Sequence, residues 1–290
     1  MPSTINLKRR ITSIKNTSQI TKAMELVSAS KLKRAQDYAL RSRDYYDLAH
    51  DLITRLSAIE ETERQPLFEK RKISKKLYIV ITSNSGLAGA YNANVLKDLT
   101  NRILDDRQKN IKNEVIVIGS KGANFVRNLK EVELVGFYPQ YGDNPNTGAI
   151  IPLLNSIIEK FKDKKVDQID LIYTSFKSTI SQTVTDLQLL PAIKMEPNST
   201  EKVTKFSNFE PDIETVIEQI TTRLVEAEIW QAVLESLASE HAMRMMAMKN
   251  ASDNAKDLIE DYTLELNTIR QASITQELAE ISGGVEALKG

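Results

Sequence analysis

The sequence predicts an α/β protein in which a long antiparallel coiled coil of N- and C-terminal helices carries a central α/β domain with a mostly parallel sheet. Glycine and proline, the strongest local breakers of helices, are absent from Ser3 to Gln65 and again from Asp212 to Ser282. The C-terminal segment repeats apolar residues at a spacing of 3.5, and short apolar runs alternate with helical patterns in between. The predicted boundaries are 1–65, 66–211 and 212–290.

The C-terminal helix is predicted to begin after an Asp212 N-cap and to end at Gly283 and Gly284. Alternating steps of four and three residues mark a seam that holds for eight heptads and predicts a left-handed supercoil. The seam positions are Ile213, Ile217, Ile220, Leu224, Ala227, Gln231, Leu234, Ala238, His241, Met245, Met248, Ser252, Ala255, Ile259, Tyr262, Leu266 and Ile269.

The N-terminal helix, with Ser3 as its expected N-cap, carries a similar seam with small residues that would let the partner helix approach closely. Its positions are Leu32, Ala35, Ala39, Ser42, Tyr46, Ala49, Ile53 and Leu56. A 71-residue C-terminal helix would be about 105 Å long, whereas a compact globule of this chain length would be about 50 Å across. The helix pair is therefore expected to project as a rod.

The two predicted helices differ in charge, although the whole chain has 39 basic and 39 acidic residues. Residues 1–43 carry ten Lys or Arg and two Asp or Glu, while residues 212–290 carry six basic and fifteen acidic residues. This asymmetry fits mutual attraction of antiparallel partners, and it also fits a basic collar for an acidic partner surface.

The central segment alternates buried strands with helices, which predicts a Rossmann-like parallel sheet covered by helices. Strands are expected at 76–83, 114–119 and 170–176, with a more alternating fourth at 183–190 and a possible fifth at 133–138. Helices are expected at 92–106, 123–129 and 148–161.

The sequence offers no catalytic constellation in this domain. The loop SNSGLAGAYN (83–92) follows the first strand and opens a helix, but it matches neither GxxxxGK[ST] nor GxGxxG, and a tight structural turn is favoured. There is no cysteine and no GxSxG, and both histidines, His50 and His241, fall in the predicted rods. No cofactor or metal site is expected, and no run approaches the length of a membrane helix.

Four of the seven methionines lie within residues 243–248. Met245 and Met248 fall on the seam and are expected to pack there, whereas Met243 and Met246 lie off it. Because methionine is flexible and polarizable, the two off-seam side chains suit contact with partner surfaces of changing shape.

Both ends of the chain resemble one family, the gamma subunit or central shaft of the F-type ATP synthase. The resemblance rests on KRRITSIKNTSQITKAMELVSASKLKRAQ (8–36), on the stretch 235–284 and on SGLAGAYNAN (85–94), where Ala88 replaces a common cysteine. It implies a non-catalytic coiled-coil rotor inside a ring of three alpha and three beta subunits. The α/β domain would lie below this ring, beside an epsilon subunit and above the c ring of the membrane sector.

The same resemblance implies which residues contact these partners. Arg244 would meet an acidic lever loop of beta, with Met24 and Lys22 near that loop. A second loop of beta would bind polar residues higher in the sleeve, and the foot near the c ring would include Phe209, Glu210 and Pro211. The polar residues of the sleeve are Arg270, Gln271, Thr275 and Glu277.

Two alternatives stay open at this point: a non-rotary coiled-coil adaptor whose basic arm binds nucleic acid, and a small-molecule enzyme in the α/β domain. Against the first, Tyr38 is the only aromatic residue before residue 45, which gives little for base stacking. The missing dithiol insert argues against redox regulation of the chloroplast type. With no transit peptide, the expected location is the cytoplasmic face of the bacterial plasma membrane, as a peripheral subunit, and a mature organellar chain is the less favoured option.

Overall fold

The computed structural model describes residues 4–56, 65–130, 132–139, 142, 147–192 and 212–289. The chain forms two compact units. One joins Met1–Ser28 with Met245–Gly290, and the other is Ala29–Arg244. Helix α1 (Thr4–Leu56) leaves the first unit at Ser28, and helix α5 (Ile213–Lys289) enters it at Met245. Both terminal segments form long helices, as predicted. Ser3, the expected N-cap of α1, lies outside the described residues.

The unit Ala29–Arg244 contains a five-stranded sheet of order β3-β2-β1-β4-β5. The strands are β1 (Lys75–Ile81), β2 (Lys112–Ile118), β3 (Glu133–Tyr138), β4 (Gln168–Phe176) and β5 (Gln182–Leu190). The first four are parallel, and β5 pairs antiparallel with β4 at one edge. The expected mostly parallel sheet is confirmed, including the fifth strand at 133–138.

The helices of this unit cover both faces of the sheet. Their bounds are α2 (Tyr91–Gln108), α3 (Ser120–Val126) and α4 (Ile151–Lys162), with 3-10 turns at Pro66–Phe68 and Thr147–Ile150. On β1, Leu77, Ile79 and Ile81 pack with α4 and α5, while Tyr78 and Val80 pack with α2 and α3. Burial on both faces explains why the parallel strands read as continuous apolar runs rather than as alternating ones.

Helix α3 occupies 120–126 rather than the expected 123–129. It begins early because the Asn84 side chain, from the loop after β1, accepts hydrogen bonds from the Ser120 amide (3.0 Å) and hydroxyl (2.9 Å). The helix also packs closely on β1, since a Cβ on Gly122 would lie 2.7 Å from Thr82 Oγ1. A cap supplied by a distant loop leaves no local signal in the sequence.

Helix α5 begins where the sequence predicts it. Asp212 accepts hydrogen bonds from the Thr215 amide (2.8 Å) and hydroxyl (2.9 Å), which is the geometry of an N-cap. The predicted end at Gly283 and Gly284 is wrong, because the helix continues through both glycines to Lys289. Glycine lowers helix stability by about 1 kcal/mol relative to alanine but remains compatible with helical dihedral angles.

The unit of the two helix ends repeats burial at alternating steps of three and four residues. In α5 this repeat follows the predicted seam, and in α1 it extends the seam back to Leu7, further than the sequence analysis placed it. Met248, Ser252 and Ala255 are buried, and the four seam residues that follow are half-buried. From Arg270 to Val285 every described side chain is exposed. The four half-buried seam positions of α5 are Ile259, Tyr262, Leu266 and Ile269. The seam positions of α1 in this unit are Leu7, Ile11, Ile14, Ser18, Thr21, Glu25 and Ser28.

Candidate functional site

The loop of residues 83–91 lies at the carboxyl ends of the parallel strands, where α/β proteins commonly bind ligands. Its polar groups are engaged within the chain. The Ser83 amide donates to Asn92 Oδ1 (3.0 Å), Asn92 Nδ2 donates to Ser83 Oγ (2.7 Å), and Ser83 Oγ donates to the Ser85 carbonyl (2.6 Å). This arrangement supports the tight structural turn that the sequence favoured over a phosphate site.

The loop is fixed to helix α5 by two buried contacts. The Tyr91 hydroxyl lies 2.6 Å from Ser236 Oγ. Arg244 Nη2 forms an ion pair with Glu240 (2.6 Å) and donates to Ser85 Oγ (2.9 Å) and to the Gly86 carbonyl (3.4 Å). Arg244 is only 8% exposed, so in the free chain its guanidinium holds the loop rather than projecting into solvent.

The cleft beside this loop gives little support to an enzyme. It has a volume of about 620 Å³ and is lined by the loop, α2 and α3, with Lys97, Lys121 and Phe125 among its side chains. Its lining contains no carboxylate and no histidine. Among the residues that the structure describes, no group of three or more His, Cys, Asp or Glu could hold a metal ion.

Two buried carboxyl groups have strongly perturbed pKa values, which can mark an active site or a structural network. Burial raises the pKa of Asp170 to about 6, and its carboxylate accepts two hydrogen bonds from Gln168 with Lys76 4.0 Å away. Burial also raises the pKa of Glu228, on α5, to about 8. Lys76 also pairs with Asp106 (3.1 Å), which accepts a hydrogen bond from the Tyr78 hydroxyl. Asp170 therefore belongs to an ionic network under α2, and a structural role fits it best.

The structure places the predicted contact residues of the helix-end unit at the surface. Lys22 is about half exposed and pairs with Glu25 at 3.0 Å, while Met24 is half-buried. Arg270, Gln271, Thr275 and Glu277 are all exposed on the last part of α5. Phe209, Glu210 and Pro211 lie outside the described residues.

The last part of α5 has a pattern that the sequence analysis missed. Four exposed apolar residues, spaced by four, three and four, form one stripe along the helix: Ile274 (50% exposed), Leu278 (60%), Ile281 (64%) and Val285 (46%). At 100° per residue, Arg270 and Glu277 flank one side of this stripe, and Gln271 and Thr275 flank the other. The four polar residues named from the resemblance therefore border a single uncovered apolar face.

The four methionines of residues 243–248 differ less in burial than predicted. Met248 is 5% exposed and packs in the seam, as expected. Met245 is half-buried, as are the off-seam Met243 and Met246. The distinction between packing and surface methionines thus holds for Met248 alone.

Comparisons with known proteins decide the family. A family model described as ATP synthase matches residues 3–288. The ATP synthase gamma chain of Roseiflexus castenholzii is 41% identical over 290 residues, and that of Macrococcus caseolyticus is 39% identical over 290 residues. The alignments cover 99% of both chains in the first case and 100% of both in the second. The chain belongs to the ATP synthase gamma chain family.

Solved structures share the gamma-chain fold. A chain from the Euglena gracilis mitochondrial ATP synthase (OSCP/F1/c-ring, rotational state 3) matches with a TM-score of 0.69 at 19% identity, covering 98% of this chain and 94% of that chain. A chain from the central stalk/c-ring structure of the Tetrahymena thermophila enzyme matches with a TM-score of 0.64 at 24% identity, covering 80% and 99%. A gamma chain is a non-catalytic component of the rotor stalk. No helix among the described residues is long and apolar enough to cross a membrane.

Proposed function

We propose that this gamma chain is the central-stalk rotor of an F-type ATP synthase, transmitting rotation between the membrane c ring and a hexamer of three alpha and three beta subunits. It couples proton or sodium translocation to ATP synthesis or hydrolysis and forms no covalent bond itself. The chain lies at the cytoplasmic face of the bacterial membrane as a peripheral subunit, with epsilon as its neighbour in the stalk.

The uncovered apolar stripe at the end of α5 is the observation that carries this proposal. Four large apolar residues half to two-thirds exposed on one face of a helix are costly in water and mark an interaction surface. The polar rows beside them, Arg270 with Glu277 and Gln271 with Thr275, fix the rotational position of the stripe through hydrogen bonds. Contacts of modest strength suit a shaft that must bind and release at every step.

Other predicted contacts fit this role in different ways. Lys22 and Met24 present a charge and a flexible thioether on α1, where a partner's acidic loop can reach them. Arg244 acts mainly by holding the loop of residues 83–91 against α5, because its guanidinium is buried. Phe209 and Glu210 serve as the foot on the c ring.

Native mass spectrometry of the tagged chain, purified gently from its own cells, tests the proposal. We expect a complex with three alpha, three beta and one gamma. Recovery of a free dimer, or of the chain bound to nucleic acid, would instead support a coiled-coil adaptor. Within the complex, Gln271→Ala should lower ATP-driven ion pumping more than it lowers assembly, and unchanged pumping would remove this residue from the contact set.

A further inference from the structure

The connections that precede the four parallel strands are rich in basic residues. The segments 69–74, 107–112, 127–130 with 132–133, and 162–167 lead into β1, β2, β3 and β4, the second and third ending on the first residue of their strand. Together these described residues hold eleven Lys or Arg and four Asp or Glu. Because the whole chain is neutral, this is a local concentration of positive charge. All four segments meet at the amino edge of one parallel sheet, and we call this surface the basic edge.

The opposite edge of the same sheet lacks such charge. The described residues of the connections at the carboxyl ends of the parallel strands, 82–90, 119–122, 139, 142, 147 and 177–181, contain two lysines and no acidic residue. The asymmetry therefore follows the direction of the strands and is not a general feature of the loops. Ligand sites of α/β proteins usually lie at the carboxyl edge, so a small-molecule site does not account for the basic edge.

Backbone hydrogen bonds hold three of the segments together, and a cleft links them to the segment before β3. The Lys112 amide donates to the Ser74 carbonyl (3.0 Å), and the Asp167 amide donates to the Lys75 carbonyl (2.8 Å). A cleft of about 970 Å³ runs across this edge, with Lys75, Arg107, Lys112 and Lys130 in its lining. The buried Glu114 in the same cleft is neutralised by Lys75 and Lys160.

Most of the positive charge on the basic edge faces solvent. Nine of its basic side chains are exposed: Lys70, Lys72, Arg107, Lys109, Lys112, Arg127, Lys130, Lys164 and Lys165. Among the acids, Glu69 pairs with Lys164 (3.3 Å), Asp163 pairs with Lys165 (2.8 Å), and Asp167 accepts hydrogen bonds from Ser74. Five lysines form no ion pair with any other residue that the structure describes: Lys70, Lys72, Lys109, Lys112 and Lys130.

We propose that the basic edge is a docking surface for anionic phospholipid headgroups. Eight of its eleven basic residues are lysines. The compact charge of lysine on a flexible side chain suits mobile headgroups, whereas the planar guanidinium of arginine suits bidentate pairing with fixed carboxylates. Its segments contain no aromatic residue on which a nucleic-acid base could stack. Ile73, 37% exposed between Lys72 and Lys75, adds an apolar contact at the headgroup level.

Lipid docking at the basic edge rests on the proposed function, because the rotor role is what brings a membrane within reach of this surface. A basic side chain near an anionic bilayer contributes about fivefold to binding. The surface would hold this face of the α/β domain toward the membrane mainly by electrostatic attraction, with no insertion below the headgroups and no fixed contact that would resist rotation.

Vesicle co-sedimentation of the full chain tests this directly. Vesicles of phosphatidylcholine alone are compared with vesicles containing 30% phosphatidylglycerol, at low and at high salt. The test variant carries Lys72→Gln, Lys109→Gln, Lys112→Gln and Lys130→Gln, all at exposed positions. The matched control carries four equally exposed changes on α1, Lys8→Gln, Arg9→Gln, Arg10→Gln and Lys15→Gln. A short DNA duplex and poly-glutamate serve as competing polyanions.

We expect salt-sensitive binding that requires phosphatidylglycerol, a loss of about a hundredfold or more in the edge variant, and a much smaller loss in the α1 variant. Equal binding to both vesicle types, or a larger loss in the α1 variant, would overturn the proposal. So would edge-dependent binding to DNA or poly-glutamate without edge-dependent binding to vesicles. Native mass spectrometry keeps the two proposals apart, because the edge variant should still assemble with alpha and beta whatever the vesicles show.

Discussion

The contact between Arg244 and the loop of residues 83–91 makes a testable prediction about how the α/β domain is held to α5. Arg244→Ala removes the cation from a buried ion pair whose carboxylate, on Glu240, is only 3% exposed. It also removes donors from Ser85 Oγ and from the Gly86 carbonyl. The loop should then open more often, while the strands beneath it stay folded.

The size of the effect follows from the burial of the pair. Removing one partner of a buried ion pair typically costs about 3–5 kcal/mol, because the remaining charge is left without compensation. The Arg244 side chain is 10% exposed, so some water can replace it, and we expect about 3 kcal/mol. A second change, Glu240→Gln, removes the stranded charge and should recover part of this loss.

Amide hydrogen exchange of residues 85–91 is the suitable assay, because it reports local opening rather than global unfolding. A destabilisation of about 3 kcal/mol corresponds to about a hundredfold faster exchange in the loop. Gln271→Ala is the matched control, since this exposed position should change stability by less than about 0.5 kcal/mol. Loop exchange in Arg244→Ala within about threefold of wild type would refute the reasoning.

Four further predictions concern stability and coupling. The raised pKa of Asp170, about 6, means that folding stability falls as pH rises from about 4 to 6. Asp170→Asn should therefore flatten that part of a series of denaturation curves and gain up to about 3 kcal/mol at pH 7. The pKa of Glu228, about 8, likewise makes folding stability fall as pH rises from about 4.5 to 8. Glu228→Gln should remove this dependence, a loss of about 1.4 kcal/mol of stability per pH unit. Gly122→Ala, whose Cβ would lie 2.8 Å from Val117, should cost about 1–3 kcal/mol in urea unfolding, whereas Gly86→Ala, 3.9 Å from its nearest neighbour, should be close to neutral. Deleting residues 270–290 should leave the melting temperature of the free chain unchanged within about 2 °C and should lower the torque measured in single-molecule rotation. A large loss of stability would instead show that this end packs within the chain.

The sequence predicted the parts of the fold that depend on regular spacing. The 3.5-residue repeat located the buried and half-buried positions of α5 from Met248 to Ile269, and Asp212 located the start of that helix. Continuous apolar runs located the strands, because burial on both faces of a parallel sheet imposes them. Periodicity is a strong signal since every residue in the element contributes to it.

Features that depend on a distant partner were not predictable in the same way. The early start of α3 requires Asn84, 36 residues upstream, and the buried position of Arg244 requires Ser85 and Glu240. The glycines at 283 and 284 misled the sequence analysis because a glycine pair fits a helix end and a continuing helix alike. The basic edge was visible in composition, but only the strand order shows that its four segments meet.

Because Arg244 is buried, we expect its role in the assembled enzyme to differ from that of Gln271. Gln271 is exposed beside the apolar stripe, so in the proposed assembly a change there should weaken a direct contact without disturbing the α/β domain. Arg244 can reach an acidic partner only by leaving Glu240, Ser85 and Gly86, and the cost of that exchange would weaken the contact it forms. Its effect on coupling should therefore pass through the loop of residues 83–91. Loss of pumping in Arg244→Ala should track loop exchange across a series of substitutions, whereas loss in Gln271→Ala should not.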